Sequence, residues 1–162
     1  MPDLIYWKKN QSMIFLDKST TGTPTWARIG KSELYEIAMN PNIVTRNFID
    51  DELPTNDVEN YQPSMSQELV LVEGDPAFDF VFSKLYSLPT GNAAAVNALF
   101  VFPQHDTTAT TSYLGWNVSV ALVLNSYNAI DKKIKFDLKF NGNIKRGTVA
   151  VTDGTPVFTA AA

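Results

Sequence analysis

The sequence has no cysteine, more acidic than basic residues and no long apolar run, and each absence excludes something. Without cysteine there is neither a disulfide framework nor a thiolate metal site, so stability must come from burial or from partner chains. A net charge of -4 and a pI near 4.9 argue against tight binding of phosphate groups. No run of about 18 apolar residues is present, and the N-terminus lacks the residue order of a signal peptide. We therefore expect no membrane association.

The sequence also lacks the usual signatures of catalysis. There is no Walker sequence and no G-x-G-x-x-G motif, so no residues are available for nucleotide chemistry. The sole histidine, His105, falls in a Thr/Ser-rich segment that we predict to be a solvated loop. We do not expect it to belong to a catalytic triad, because no nucleophile motif accompanies it. We predict no enzymatic activity, no catalytic residues, no cofactor and no metal. The one metal alternative is a Ca²⁺ or Mg²⁺ site among the acidic residues after Asn42.

What the sequence does contain is alternation typical of β-strands. Its 162 residues, 44% of them hydrophobic, suit a single domain over 1–162 with a real core. In residues 130–140 the apolar and charged side chains alternate, which predicts a half-buried strand of an antiparallel sheet. Asn141-Gly142 then predicts a tight hairpin turn into a return strand. Other strands are predicted at 12–17, 25–29, 33–39, 64–73, 97–103 and 115–127, the last but one ending at Pro103.

One segment has the period of a helix. Asp75 is a good N-cap, Pro76 suits the first helical turn, and apolar residues follow at helical spacing. The stripe consists of Phe78, Val81, Phe82, Leu85 and Tyr86. The predicted architecture is mainly β, an antiparallel β-sandwich or barrel-forming sheets flanked by one α-helix at about 75–88.

The stretch at about 42–64 has neither the alternation of a strand nor the spacing of a helix, and it is too long for an ordinary connection. Fixing roughly twenty residues costs on the order of 20 to 40 kcal/mol. Each apolar side chain buried there contributes only about 1.5 to 3 kcal/mol. We predict a long loop that is either mobile in the monomer or ordered by a neighbour. Its apolar anchors mixed with acidic residues suit a partner surface better than a linker.

The order of these features resembles the major tail protein (tail tube protein) family of long-tailed bacteriophages, of the phage lambda type. That family is related in fold to the tubes of contractile tails and of type VI secretion systems. The resemblance runs from Trp26 to Val151. The segments that carry it are TWARIGKSELYEIAMN, NFIDDELPTNDVENYQPS, SQELVLVEGDPAFDFVFSKLYSL, ALFVFP, the strand at Leu114-Gly115-Trp116 and KIKFDLKFNGNIKRGTVAV.

The resemblance implies a structural virion protein with itself as its main partner. In that family a β-sandwich flanked by a helix forms rings, usually hexameric, which stack into a hollow tube that carries DNA to the host. The implied location is the virion tail, and the host cytoplasm during assembly. The implied partners are further copies, the tape measure, tail terminator and baseplate proteins, and DNA that passes through the lumen without specific binding.

The resemblance also implies two contact surfaces. The long loop would meet the next ring through Phe48, Ile49, Asp50, Asp51, Glu52, Leu53, Asp57 and Glu59. Inner-wall strands would come from 33–39, 64–72, 116–125 and 130–141. The side chains expected to face the lumen are Glu36, Glu68, Asn117, Ser119, Asn125, Lys133, Lys135 and Lys139. Whether the three lysines face the lumen, offset by Glu36 or Glu68, or pair with a neighbouring subunit stays open.

The residues are also compatible with two other functions. The main alternative is a monomeric β-sandwich binding module for carbohydrate or protein, with Trp26, Tyr113 and Trp116 as its contact residues. A nucleic-acid surface on the lysine face of 131–139 is disfavoured, because two aspartates interrupt it and no aromatic side chain offers base stacking.

Overall fold

The computed structural model describes residues 4–19, 22–106 and 109–161, without the side chains of 106 and 109–111. These residues form mostly antiparallel strands and one α-helix, which confirms the predicted fold class. The elements are β1 (Met13–Asp17), β2 (Trp26–Arg28), β3 (Ile37–Ala38), β4 (Pro41–Arg46), β5 (Thr55–Tyr61), β6 (Ser64–Val70), α1 (Pro76–Ser87), β7 (Ala95–Asp106), β8 (Ala109–Asn128), β9 (Lys133–Thr152) and β10 (Thr155–Ala160).

Eight strands form one antiparallel sheet in the order β2-β1-β7-β8-β9-β6-β3, with β10 also paired to β9. The first half of β9, from Lys133 to Lys139, pairs with β6, and its second half, from Gly147 to Thr152, pairs with β10. Strands β7 to β10 follow one another in sequence and in space. Strands β4 and β5 form a separate two-stranded sheet.

The central strands are buried on both faces of the large sheet. Along β1, Ile14 and Leu16 belong to the larger core, whereas Phe15 between them belongs to a second core with Leu99 and Val149. Successive side chains of a strand point to opposite faces, so an unbroken apolar run is what a doubly covered strand requires. Helix α1 belongs to the larger core, through Ala77, Phe78 and Val81.

The predicted Asn141-Gly142 turn is wrong, because β9 continues straight through it for 20 residues. Gly142 does have a positive φ of 66°. It lies where the β8–β9 register changes, between the pair Ser119–Asn141 and the pair Asn117–Lys145. A left-handed glycine can form a bulge as well as a turn. Strand β8 is long enough to pair on both sides of the bulge, so the chain continues instead of reversing.

His105 lies in β7, not in the loop that the sequence predicted. The strand passes Pro103, which falls inside a register irregularity between Val101 and His105. A proline lacks the amide N–H of a regular ladder and is tolerated at such an irregularity. The His105 ring stacks on Tyr113 of β8, with 4.9 Å between ring centroids.

The strand predicted at 33–39 is reduced to the two residues of β3. Side chains occupy the backbone groups that a longer ladder would use. The Ser32 hydroxyl donates to the carbonyl oxygen of Leu34 and accepts from its N–H, and Gln67 Nε2 donates to the same carbonyl at 2.9 Å. Such local bonds compete with strand pairing. Gln67 is buried, and it holds this segment against β6.

Helix α1 begins and ends near the predicted residues, but its buried face differs. Phe78 and Val81 are buried, as the predicted stripe requires, and so is Ala77, which lies outside that stripe. Phe82 and Tyr86 are 43% and 86% exposed, so the prediction is wrong for these two. The buried face of the helix therefore includes Ala77 in place of Phe82 and Tyr86.

The Asp75 carboxylate caps this helix by accepting a hydrogen bond from the Phe78 N–H at 3.2 Å. Asp75→Ala removes that acceptor, so we expect the free energy of unfolding to fall by about 1 kcal/mol in urea titrations. Asp75→Asn keeps a capping oxygen and should lie within a few tenths of a kcal/mol of the parent. Equal losses in both variants would contradict the capping role.

Candidate assembly surfaces

The stretch predicted to be a long loop is a β-hairpin, made of β4, β5 and an eight-residue tip at 47–54. The hairpin extends the antiparallel pairing of β3 with β6 beyond the large sheet. Ala38 pairs with Ser64 at the end of the large sheet, and Pro41 pairs with Tyr61 at the start of the hairpin. At the junction Asn40 Nδ2 donates to the Gln62 carbonyl at 3.0 Å. Pairing between the two strands satisfies backbone groups inside the stretch itself, which the energy estimate from sequence left out.

A bulge hides the alternation of this hairpin. Ile43 faces Val58, but Asn42 faces Asn60, so Glu59 is the extra residue of β5. The bulge changes the parity of β5 on its two sides. Val58 and Tyr61 therefore share a face although they are three residues apart in sequence.

One face of the hairpin is apolar and uncovered. Its cross-strand pairs are Pro41 with Tyr61 and Ile43 with Val58. Ile43, Val58 and Tyr61 keep 53%, 50% and 58% of their surfaces exposed. The opposite face is polar, and there Asn42 Nδ2 donates to Glu59 Oε2 at 3.3 Å. An exposed apolar cluster framed by polar residues is typical of an interaction site.

The tip brings together six of the eight residues assigned to ring contact. Phe48, Ile49 and Leu53 are exposed, Ile49 completely. Asp50, Asp51 and Glu52 lie between them, and the Asp51 carboxylate accepts from the Thr55 hydroxyl at 3.1 Å. The remaining two assigned residues, Asp57 and Glu59, lie in β5. Five carboxylates against Arg46 give residues 41–61 a net charge of -4.

The four segments assigned to the inner wall are neighbours in the large sheet, as parts of β8, β9, β6 and β3 in that order. One face of this region is polar, and the register aligns its rows across three strands. Lys135 lies between Ser126 and Glu68, and Lys139 lies between Ala121 and Ser64. The four segments together contain four lysines (132, 133, 135 and 139) and five carboxylates (33, 36, 68, 131 and 137), a net charge of -1.

Glu68 pairs with two of these lysines. Its carboxylate lies 3.6 Å from Lys133 Nζ and 3.7 Å from Lys135 Nζ, and Glu33 lies 3.3 Å from Lys133 Nζ. The hydrogen bond to Glu33, and then the attraction of Glu33 and Glu68, raise the pKa of Lys133 above its usual 10.5. The lysine is therefore charged at neutral pH, and its pairing is lost only as the pH rises above that value.

Two of the assigned lumen residues lie at the margins of this polar face. Asn117 lines a cavity of 550 Å³ between β2 and β10, beside Trp26 and Phe158. Asn125 lies in a β8 bulge, and its neighbour Ser126 is the residue opposite Lys135. The prediction by simple alternation did not allow for this bulge.

An apolar groove of 590 Å³ lies at the far end of the sheet, and no pattern in the sequence indicated it. Trp116 contacts Phe102 edge to face there, with 5.0 Å between ring centroids. Arg146 is the one charged residue among the described residues of the lining. The lining comprises Trp7, Phe102, Gln104, Leu114, Gly115, Trp116, Arg146, Gly147, Thr148 and Ala161. Arg146 lies directly across from Trp116 in the β8–β9 register, a relation that needed the correct bulge to predict.

The contact set of the alternative binding module is divided between different places. Trp116 lines the groove, Trp26 lines the cavity at β10, and Tyr113 packs against the second core.

Burial raises the pKa of a different tyrosine, Tyr35, to about 12. That residue as a whole is 41% exposed, so the shift reflects the surroundings of its hydroxyl group.

Two further observations concern the part of the chain that the structure describes. No group of three or more His, Cys, Asp or Glu side chains is placed so that it could hold a metal ion. No helix there has the length and apolar character needed to cross a bilayer.

No protein-family model and no curated protein matches the chain. It is similar to solved structures of the anti-feeding prophage. One is a chain in the six-fold symmetrised baseplate, with 9% identity and a TM-score of 0.47, covering 90% of this chain and 95% of that one. Another is a chain in the tube-terminating cap, with 11% identity and a TM-score of 0.49, covering 91% and 95%. Likenesses at this level carry no argument about what this chain does.

Proposed function

We propose that the chain is a structural, non-enzymatic subunit of a phage tail tube, which assembles with itself into stacked, hexameric rings that conduct DNA. The observation that carries the proposal is the β4–β5 hairpin, with its exposed apolar face and acidic tip. A monomer gains nothing from holding three large apolar side chains in water, whereas a subunit of an assembly buries them at a contact.

The polar face of β8, β9 and β6 supports the role of an inner wall. Two of its lysines, Lys133 and Lys135, are offset by Glu68 and Glu33 within the same subunit. A wall of nearly balanced charge binds few phosphates, because tight binding requires cations that displace the counterions of DNA. DNA would then slide along the wall. In this proposal Glu36, Ser119, Lys135 and Lys139 face the lumen.

The sheet edges support assembly as well. Strand β10 has six residues and pairs with β9 alone among the described strands, so its other side is an open edge. Edge strands leave backbone N–H and C=O groups unpaired, and closure of subunits into a ring pairs them. The tape measure, terminator and baseplate proteins are the other proposed partners of such a tube.

The test is the state of the purified protein. We expect rings or tubes in negative-stain micrographs at high protein concentration, and a mass distribution in sedimentation velocity that grows with concentration. Salt from about 50 to 500 mM should be scanned, because ionic strength screens exposed charges. A protein that sediments as a monomer in every condition, without rings or tubes, would contradict the proposal. That result would favour the monomeric binding module, whose best candidate surface is the groove beside Trp116.

A further inference from the structure

The hairpin and the groove complement each other in both polarity and charge. We propose that the β4–β5 hairpin of one copy docks into the groove of a neighbouring copy, with its carboxylates against Arg146. The inference rests on the proposed self-assembly and names the receiving surface for the hairpin. The occupant of the groove is thus a second copy of this chain.

The groove offers an apolar floor with a cation at its side. Phe102, Leu114 and Trp116 supply apolar surface, and Leu114 is 40% exposed. The Arg146 side chain is exposed and forms no ion pair with any described residue. A guanidinium has five N–H donors that match a carboxylate in two-point contact.

The hairpin supplies the matching features. Its apolar face and the tip residues Phe48, Ile49 and Leu53 are exposed and can fill an apolar groove. Its net charge of -4 is concentrated at the tip and along β5. From Pro41 to Ile49 the ribbon extends eight residues, or about 25 Å, which is ample reach for a neighbour. Opposite charges at the rim orient the partners, and the apolar contact provides most of the affinity.

A contact between two different surfaces of one chain is heterologous. Each copy keeps a free hairpin and a free groove after it has bound one neighbour, so association continues until the chain of contacts closes or becomes a filament. This geometry suits a protein that builds an extended tube and would be unsuited to an isolated dimer.

The exposed residues Leu4, Ile5 and Tyr6 are the competing occupant, since they directly precede Trp7 in the chain. Lys8 and Lys9 follow them, so this segment brings positive charge to a groove that already holds Arg146. The acidic hairpin therefore fits better. Leu4→Ser with Ile5→Ser separates the two occupants experimentally.

The experiment uses charge reversal and mixing. Arg146→Glu is expected to weaken self-association by about tenfold or more, measured by sedimentation and by light scattering, because like charges then meet. Lys145→Glu is the matched control. It makes the same change in charge at the next residue, whose side chain points to the other face of β9, and should leave association within about twofold of the parent.

Complementation identifies the two surfaces. Arg146→Glu keeps an intact hairpin, and a variant with residues 42–60 replaced by Asn-Gly keeps an intact groove. Each alone should fail to build large assemblies, whereas their mixture should form complexes that contain both variants. Adding Asp50→Lys and Asp51→Lys to Arg146→Glu should also restore association, because the reversed charges again match.

The outcomes separate this inference from the proposed function. If the parent assembles and hairpin removal blocks it, but Arg146→Glu assembles as well as Lys145→Glu, self-assembly stands and the groove is not the receiving surface. If the Leu4 and Ile5 substitutions block assembly while hairpin removal does not, the N-terminal segment occupies the groove and the inference is wrong. If the parent itself never assembles, the proposed function fails.

Discussion

A subunit in which Asn-Gly replaces residues 42–60 is expected to fold normally and to lose self-association by at least about 100-fold. The replacement joins Pro41 to Tyr61, which are opposite each other in the hairpin, and two residues of this type close a tight turn. The removed segment lies outside both hydrophobic cores. It carries the apolar side chains proposed for the contact, each worth about 1.5 to 3 kcal/mol when buried, and 1.4 kcal/mol corresponds to tenfold in affinity.

Sedimentation velocity measures this association, and urea unfolding checks the fold. The unfolding midpoint should stay close to that of the parent. Val58→Ser tests the apolar face in the full-length chain, and Asn60→Ser on the opposite face of the hairpin is its control. We expect weaker association for the first and little change for the second. A hairpin-free subunit that still forms tubes would contradict the role of the hairpin, and one that fails to fold would make the hairpin part of the core.

Gly147→Ala is expected to destabilise the fold by about 3 kcal/mol, near the upper end of the usual range for overpacking. A Cβ atom at this position would overlap the carbonyl oxygen of Thr159 in β10. It would also lie 2.9 Å from two carbons of the Phe158 ring. The overlap with a backbone atom cannot be relieved by a side-chain rotation, so β10 must move away from β9. That movement also opens the second core, to which Phe158 contributes.

Urea titration measures the loss, and Gly30→Ala provides the matched control. A Cβ atom at Gly30 would have no heavy atom within 4 Å, and its φ lies outside the left-handed region. The control should change the free energy of unfolding by no more than about 0.5 kcal/mol. Similar stabilities for the two variants would show that β10 is not tightly packed against β9 in solution.

The sequence predicted best those elements whose signals are local. The α1 helix was predictable within a residue, because Asp75, Pro76 and the apolar spacing lie inside one short segment. The core face of β9 was predictable because Ile134, Phe136 and Leu138 alternate with charges before the bulge. These features depend on neighbours a few residues away and need no knowledge of the rest of the chain.

Three of the misses share one physical cause, which is irregular strand pairing. Asn141-Gly142 reads as a turn unless the length of β8 opposite is known, and Pro103 reads as a strand end for the same reason. The hairpin has no visible period of two in the sequence, because the bulge at Glu59 changes the parity of β5. Whether a bulge forms depends on pairing with a strand that is distant in sequence, and a local sequence pattern carries no information about that pairing.

The groove could not have been predicted from the sequence. Its lining residues come from four separate parts of the chain: near position 7, in β7, in β8 and near position 146. They can be placed together only when the register between β8 and β9 is known. Arg146 in particular gave no signal, because a single basic residue in a strand is ordinary. The acidic and apolar character of the hairpin was visible early, although its shape was not.

The arrangement of β7 to β10 has a consequence for the order of folding. These four strands are consecutive in the chain and pair as successive hairpins, so they can form by closing short loops. Strands β1 and β6 instead join partners far along the chain, Ile14 with Phe100 and Met65 with Leu138. Long-range pairings form more slowly than local ones. The C-terminal meander should therefore be the nucleus onto which the N-terminal strands dock.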